Sequence, residues 1–184
     1  PMHNSYYNPE FWEVPEEDQK LPDFEKIDRA MDRAIRFAQN QYKSVSAYVK
    51  RIDSTKTVHI GESGWASASN GFYGSDYSNA ADEYKAGEYY RRMRTWTNEA
   101  QISLLYFEIF DEQWKDSANP GGSENHFGLI NLEGQAKYAL WDWVDKGAFY
   151  GLKRDGKTIT RTHSGNFRAL QENVLSQIPV RSKK

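Results

Sequence analysis

The chain has 184 residues, 38% of them hydrophobic, with a formal charge of −2 and no cysteine. That length suits one well-packed domain and is short for two, and a near-neutral balance without a long basic run argues against nucleic acid as the main partner. No apolar stretch approaches the roughly 20 residues of a membrane span, no signal peptide is recognisable, and without cysteine there is neither a disulfide framework nor a thiolate nucleophile.

The opening "PMHNSYYNPEFWEVP" enters without a preceding strand or cap. It reads as the interior of something longer, with at most a strand end at Pro1–Asn4. Phe24, Ile27, Met31, Ile35, Ala38, Tyr42, Val45, Val49 and Ile52 then step by three or four residues, the stripe of an amphipathic helix. Asp23 is its expected cap, Glu25 sits in its first turn, and its length suggests a kink near Gln39–Lys43. "KTVHI" reads as a short buried strand ended by Gly61, followed by a long Gly/Ser/Asn-rich loop.

Asn79 introduces a second helix, "AADEYKAGEYYRRMRTW", with Asp82 and Glu83 in its first turn. "AQISLLYFEIF" has the strongest strand character in the chain and is apolar on both faces, as in a parallel sheet. After another long loop, "EGQAKYALWDWVDKG" predicts a third helix stopped by Gly147. "FYGLKRDGKTITRT" predicts a hairpin turning at Asp155–Gly156. The alternation of helix, strand and long post-strand loop is that of a (β/α)8 barrel, whose sites form on such loops. A full barrel takes about 250 residues, so the chain supplies about three units of eight.

Chemistry-bearing residues cluster at two strand ends. Glu62 follows the β-branched run and precedes a Gly-Trp turn, in "TVHIGESGWAS". A solvent-exposed loop carboxylate is the bland alternative. "GESGW" is not a serine-hydrolase elbow, because the second glycine falls one place early and Trp65 occupies its position. Glu108, Asp111, Glu112, Lys115 and Glu124 crowd the second strand end. Glu108 lies within an apolar strand and needs a partner or a function; an ion pair with an arginine and a site role are both open. The four histidines show no metal-ligand spacing, and Asp76, Asn79 and Asp82 form no recognised calcium loop, so no metal or cofactor is expected. Six Trp, 12 Tyr and 9 Phe in so hydrophilic a chain suit a surface that stacks sugar rings.

Taken together, "HIGESGWAS", "YFEIFDEQWK" and "ENHFGLI" resemble the C-terminal part of glycoside hydrolase family 17, the β-1,3-glucanases and glucanosyltransferases, over roughly residues 1–145. The resemblance implies a (β/α)8 barrel and a retaining mechanism, with the nucleophile in a strand-7 motif G-E-S/T-G-W, here Glu62, and Trp65 beside it. It places the strand-8 pattern F-N/D-E-x-x-K, and then an E shortly before F-G-L, on Glu112, Lys115, Glu124 and Phe127, which would line the site, with Lys115 close enough to favour an ionised Glu62. Glu108 and Trp114 bring the segment nearer the bacterial branch. Ala66 stands where plant members have proline. Tyr6, Tyr7, Phe11 and Trp12, with Trp65 and Trp114, are the candidate stacking residues.

The family's general acid/base sits in an Asn-Glu motif ending strand 4, and no part of the chain matches it. The implied organisation is residues 1–148 as about strands 6–8 of the barrel, and 149–184 as a hairpin and tail packed on it. The implied partners are β-1,3-glucan and the N-terminal half of the same barrel. The implied location is secreted or periplasmic. Non-catalytic glucan binding and transglycosylation are the alternatives to hydrolysis.

Overall fold

The apolar stripe of the first helix organises most of the buried side of the protein. In the computed structural model, which describes residues 14–70 and 79–175, helix α1 (Asp23–Ile52) runs through Gln39–Lys43 without the expected break. Pro22 precedes it in an extended conformation and no side chain caps it. Asp23, expected as the cap, is its first helical residue and pairs with Lys26 at 3.2 Å, where the helix dipole still favours a carboxylate. Ile27, Ala30, Met31, Ala34, Ile35 and Ala38 are buried. Further on, Val45, Tyr48 and Ile52 are 53%, 58% and 72% exposed.

Strand β1 (Ile60–Ser63), helix α2 (Glu83–Glu99) and strand β2 (Leu104–Tyr106) form a βαβ unit with parallel strands. β1 begins later than "KTVHI" suggests, because the first ladder bond is Ile60 N–H to the Ser103 carbonyl at 2.9 Å. Ile60 faces Leu104 and Ser63 faces Tyr106, so three steps on β1 oppose two on β2. This bulge falls at Gly61–Glu62, a device that re-aims side chains. Helix α2 starts at Glu83, with Asp82 as the cap accepting from Lys85 N–H at 2.9 Å. Tyr89 and Met93 on α2 pack with Ile27, Met31 and Ile35 of α1 and with Ile60 and Trp65 into the main core. Arg92 bridges the two helices at the surface by pairing with Asp28 and, at 2.5 Å, with Asp32.

The apolar run after Ser103 is a strand for only three residues. Beyond Tyr106 its backbone turns to a different partner. Leu129 N–H donates to the Glu108 carbonyl, Ile130 N–H to Ile109, and Asp111 N–H to Ile130, each at 2.9 Å. Leu105, Ile109 and Phe110 are exposed, not apolar residues buried on both faces.

The predicted third helix is reduced to α3 (Trp141–Asp145) behind a 3-10 turn at Tyr138–Leu140. Its expected first half is extended instead, because β3 (Gln135–Ala136) pairs with β6 (Thr160–Arg161) and Lys137 is held in an extended conformation. A long-range pairing has overridden helical propensity. The hairpin β4 (Lys153–Arg154) and β5 (Lys157–Thr158) turns at Asp155 and Gly156, whose φ values of 48° and 78° are the left-handed pair a tight hairpin needs. Helix α4 (Phe167–Gln171), capped by Asn166, returns to α2. Among the described residues no helix is long and apolar enough to cross a membrane.

Candidate active site

Glu62 projects from the bulge of β1. Its neighbours Ile60 and Ser63 are buried against the helices, whereas Gly61 and Glu62 are exposed on the opposite side. No hydrogen bond or ion pair engages the Glu62 carboxylate among the described residues. It is an exposed carboxylate at the end of a short bulged strand.

The residues around Glu62 hold the strand end in place. Ser63 Oγ and Tyr89 Oη hydrogen-bond at 2.8 Å within the core. Burial pushes the Tyr89 phenol up to about 12, with the Ser63 bond pulling the other way, so it stays a neutral donor at ordinary pH. Gly64 is demanded by close approach, since a Cβ there would meet the Phe107 carbonyl oxygen at 1.8 Å. Trp65, expected to stack on sugar, is only 1% exposed. Its Nε1 donates to the Ala80 carbonyl at 3.0 Å and its ring lies 4.8 Å from that of Tyr89. Trp65 therefore supports the strand and the loop after it rather than presenting a face to a ligand. Ala80 is in turn followed by a second buried anchor. The Lys85 ammonium donates to Asp82, the Asn79 carbonyl and the Leu175 carbonyl, each at 2.6 Å. Burial lowers the Lys85 pKa and Asp82 opposes that shift. Both Asp82 oxygens are thereby engaged, Oδ1 by Lys85 N–H and Oδ2 by Lys85 Nζ and Leu175 N–H.

The second strand end adjoins the first through Phe107 N–H, which donates to the Ser63 carbonyl at 2.9 Å. Glu108 there is paired with Lys115, not with an arginine. Lys115 also reaches Glu112 at 3.2 Å and lies 3.9 Å from the centre of the Phe107 ring. Two carboxylates thus share one ammonium. Burial raises the Glu108 pKa, Lys115 lowers it, and the Glu112 charge raises it again. The second Glu108 oxygen, Oε1, is buried without a hydrogen-bond partner among the described residues. Lys115, expected beside Glu62, is paired with Glu108 and Glu112 and makes no ion pair with Glu62.

The remaining predicted residues divide by burial. Trp114 is 73% exposed next to Lys115 and is free to stack on a sugar. Glu124 lies in a 3-10 turn at Ser123–Asn125, partly buried. Phe127, expected to line the site, is buried and packs edge-on against Phe107 at 5.5 Å, so it shapes the strand end from behind. Tyr6, Tyr7, Phe11 and Trp12 lie outside the described residues, as do Pro1–Asn4 and Asp76. The one Asn-Glu pair in the sequence, Asn98–Glu99, closes α2 and does not end a strand. Among the described residues no group of three or more His, Asp or Glu side chains is arranged to hold a metal.

Sequence reasoning passed over Ser67, Tyr89, Lys85 and Lys137, all of which anchor these loops. The available signal was a lysine inside an otherwise apolar segment, as in "QAKYALW", since a buried cation requires partners.

Comparison with known proteins bears directly on these strand ends. The profile described as glycosyl hydrolases family 17 matches residues 39–141. The crystal structure of an endo-laminarinase from Formosa Hel1_33_131 is 50% identical with a TM-score of 0.89, over 100% of this chain and 47% of that one. An active-site mutant of a Rhizomucor miehei β-1,3-glucanosyltransferase in complex with laminaritriose is 24% identical, with a TM-score of 0.47, over 66% of this chain and 46% of that one. A second structure of glycoside hydrolase family 17 β-1,3-glucanosyltransferase from Rhizomucor miehei is 30% identical, with a TM-score of 0.40, over 57% and 33% respectively. The chain therefore spans about half the length of the endo-laminarinase it matches. No curated protein sequence matches.

Proposed function

The chain belongs to glycosyl hydrolases family 17, and from that premise we propose that it carries the nucleophile side of the active site of a retaining enzyme cleaving laminarin-type β-1,3-glucan. The observation that carries this reading is Glu62, a carboxylate without a partner among the described residues, on a bulged strand paired with the strand that leads into the Glu108–Lys115–Glu112 cluster. In a retaining glycosidase two carboxyl groups stand about 5–5.5 Å apart; one attacks the anomeric carbon and the other protonates the departing oxygen, then activates water. Glu62 takes the first role. Its free oxygens attack the anomeric carbon to form a glycosyl ester, the glycosidic bond to the leaving sugar breaks, and water later releases the glycosyl group with inverted attack at the same carbon. The acid/base is supplied by barrel segments outside this chain.

In this reading β1 and β2 are the seventh and eighth strands of the (β/α)8 barrel. Residues 1–148 belong to that barrel, and 149–184 form the hairpin and tail on its outside. The N-terminal half of the barrel is the partner of the faces left open here, and a polymeric substrate places the enzyme outside the cytoplasm. Trp114, exposed near Lys115, stacks on a glucosyl ring.

Reducing-end release from laminarin tests the assignment. In the full-length protein, Glu62→Gln removes turnover, and adding azide to Glu62→Ala restores it on an activated aryl glucoside, with a glucosyl azide as the product. Hydrolysis surviving in Glu62→Gln would refute the role. Products longer than the substrate would move the reaction from hydrolysis to glucanosyl transfer.

A further inference from the structure

Lys137 is buried, and its ammonium meets oxygens from three separate segments. Nζ donates to Ser67 Oγ at 2.6 Å, to Asp111 Oδ1 at 2.7 Å and to the His126 carbonyl at 3.4 Å. An ammonium has three donors and no acceptor, so all three are used. Ser67 lies on the loop leaving Glu62, Asp111 immediately precedes Glu112, and His126 closely follows Glu124. Each acceptor is itself tied down. Ser67 N–H and Oγ both donate to the His126 carbonyl, at 2.9 and 3.0 Å. Asp111 Oδ1 also accepts Gly128 N–H at 2.9 Å, and Asp111 Oδ2 lies 4.0 Å from His126 Nδ1. The Asp111 carbonyl accepts from Arg154 at 2.8 Å. Only glycine fits at 128, where a Cβ would meet Asp111 N at 1.9 Å.

The lysine is fixed from its own side as well. Its N–H donates to the Leu129 carbonyl at 2.9 Å, and its carbonyl accepts Leu140 N–H at 2.8 Å. Burial lowers its pKa, and the Asp111 charge works against that shift. Asp111 and Lys137 form a buried ion pair in which Asp111 Oδ1 accepts both Lys137 Nζ and Gly128 N–H and all three Lys137 donors are used, which favours one arrangement.

We propose that Lys137 is a positioning residue for the reaction assigned above, locking the loop behind Glu62 to the loop that carries Glu112, Lys115 and Glu124. It touches no reacting atom. Its compact charge can meet three acceptors from three directions, which a planar guanidinium cannot do in the same space. The catalytic part of the inference rests on the family reading of Glu62; the locking of the two loops does not.

The test compares Lys137→Met, Lys137→Arg and the double variant Lys137→Met/Asp111→Asn with the parent in the full-length protein. Lys137→Met leaves Asp111 as an unpaired buried charge and lowers the melting temperature; the double variant, with no buried charge, recovers most of that loss. On laminarin both lose about tenfold to a hundredfold in kcat, the scale expected of a displacement of about 1 Å, while KM stays within about threefold. Lys137→Arg does not restore kcat. Hydrogen exchange provides a readout without turnover: the amides of Ser67 and Gly128 exchange faster in the double variant, and those of Tyr90–Met93 keep the parent's rate. Recovery of kcat together with stability in the double variant would reduce the pair to a structural one. Unchanged exchange at Ser67 and Gly128 would overturn the lock itself. A parent protein inactive on laminarin would instead overturn the family reading, leaving the exchange arm to decide the lock.

Discussion

The two halves of helix α1 carry the same apolar repeat and end in different surroundings. From Ile27 to Ala38 the stripe is buried against α2 and β1; from Val45 to Ile52 it is open. The strands divide in the same way. Ile60, Ser63, Leu104 and Tyr106 face the helices, while Glu62 and Leu105 stand on the exposed side. One side of the protein is a finished core, and the other is a surface where chemistry and a further layer of protein can meet. The lesson is that the same short elements bury one face in the core and leave the other, with Glu62, free of structural duty.

Substitutions can break or sharpen that division. The largest expected effect is on the open side: if the proposed role holds, Glu62→Gln in the full-length protein lowers laminarin turnover by at least about a thousandfold, or about 4 kcal/mol in the barrier, while the unfolding free energy in urea moves by no more than about 0.5 kcal/mol. A large loss of stability would contradict the claim that Glu62 has no structural partner. On the closed side, Met31→Ala deletes a fully buried side chain and should cost about 2–5 kcal/mol in urea unfolding, with kcat per folded molecule unchanged.

Glu108 lies between the two classes. Its folded pKa is raised, mainly by burial, so the native state holds the proton more tightly than the unfolded chain does. Its contribution to stability is therefore greatest below the ordinary glutamate pKa and is lost as pH rises through the raised value. Relative to the parent, Glu108→Gln should gain stability on going from pH 4 to pH 7. Parallel urea midpoints for the two proteins across that range would remove the pH argument. The smallest effect belongs to Val45→Ser on the open half of α1. In this chain alone it should change stability by less than about 0.5 kcal/mol; a loss comparable to that of Met31→Ala would mean that this face is covered.

Much of this was legible from residue order. The stripe of α1, the parallel pair joined by a helix, the Asp155–Gly156 turn and the two clustered strand ends follow from periodicity and from turn residues with few allowed conformations. The errors share a cause. "AQISLLYFEIF" looks like a long strand, yet it is cut at Tyr106 because residues 108–111 find partners at 127–130. "EGQAKYALW" looks helical, yet Gln135–Ala136 pairs with a strand far along the chain. Trp65 looks like a platform and is core, because its indole N–H is claimed by the Ala80 carbonyl.

The sequence by itself determined which segments are amphipathic, where the chain turns, and which carboxylates end up at strand ends, because these depend on neighbours a few residues away. Tertiary structure alone decided which carboxylate Lys115 would serve, that Trp65 would be buried, and that Lys137 would gather Ser67, Asp111 and His126. Those choices are made by long side chains and unpaired backbone groups, which bind whatever complementary group the fold brings within about 3 Å, and residue order does not encode that distance.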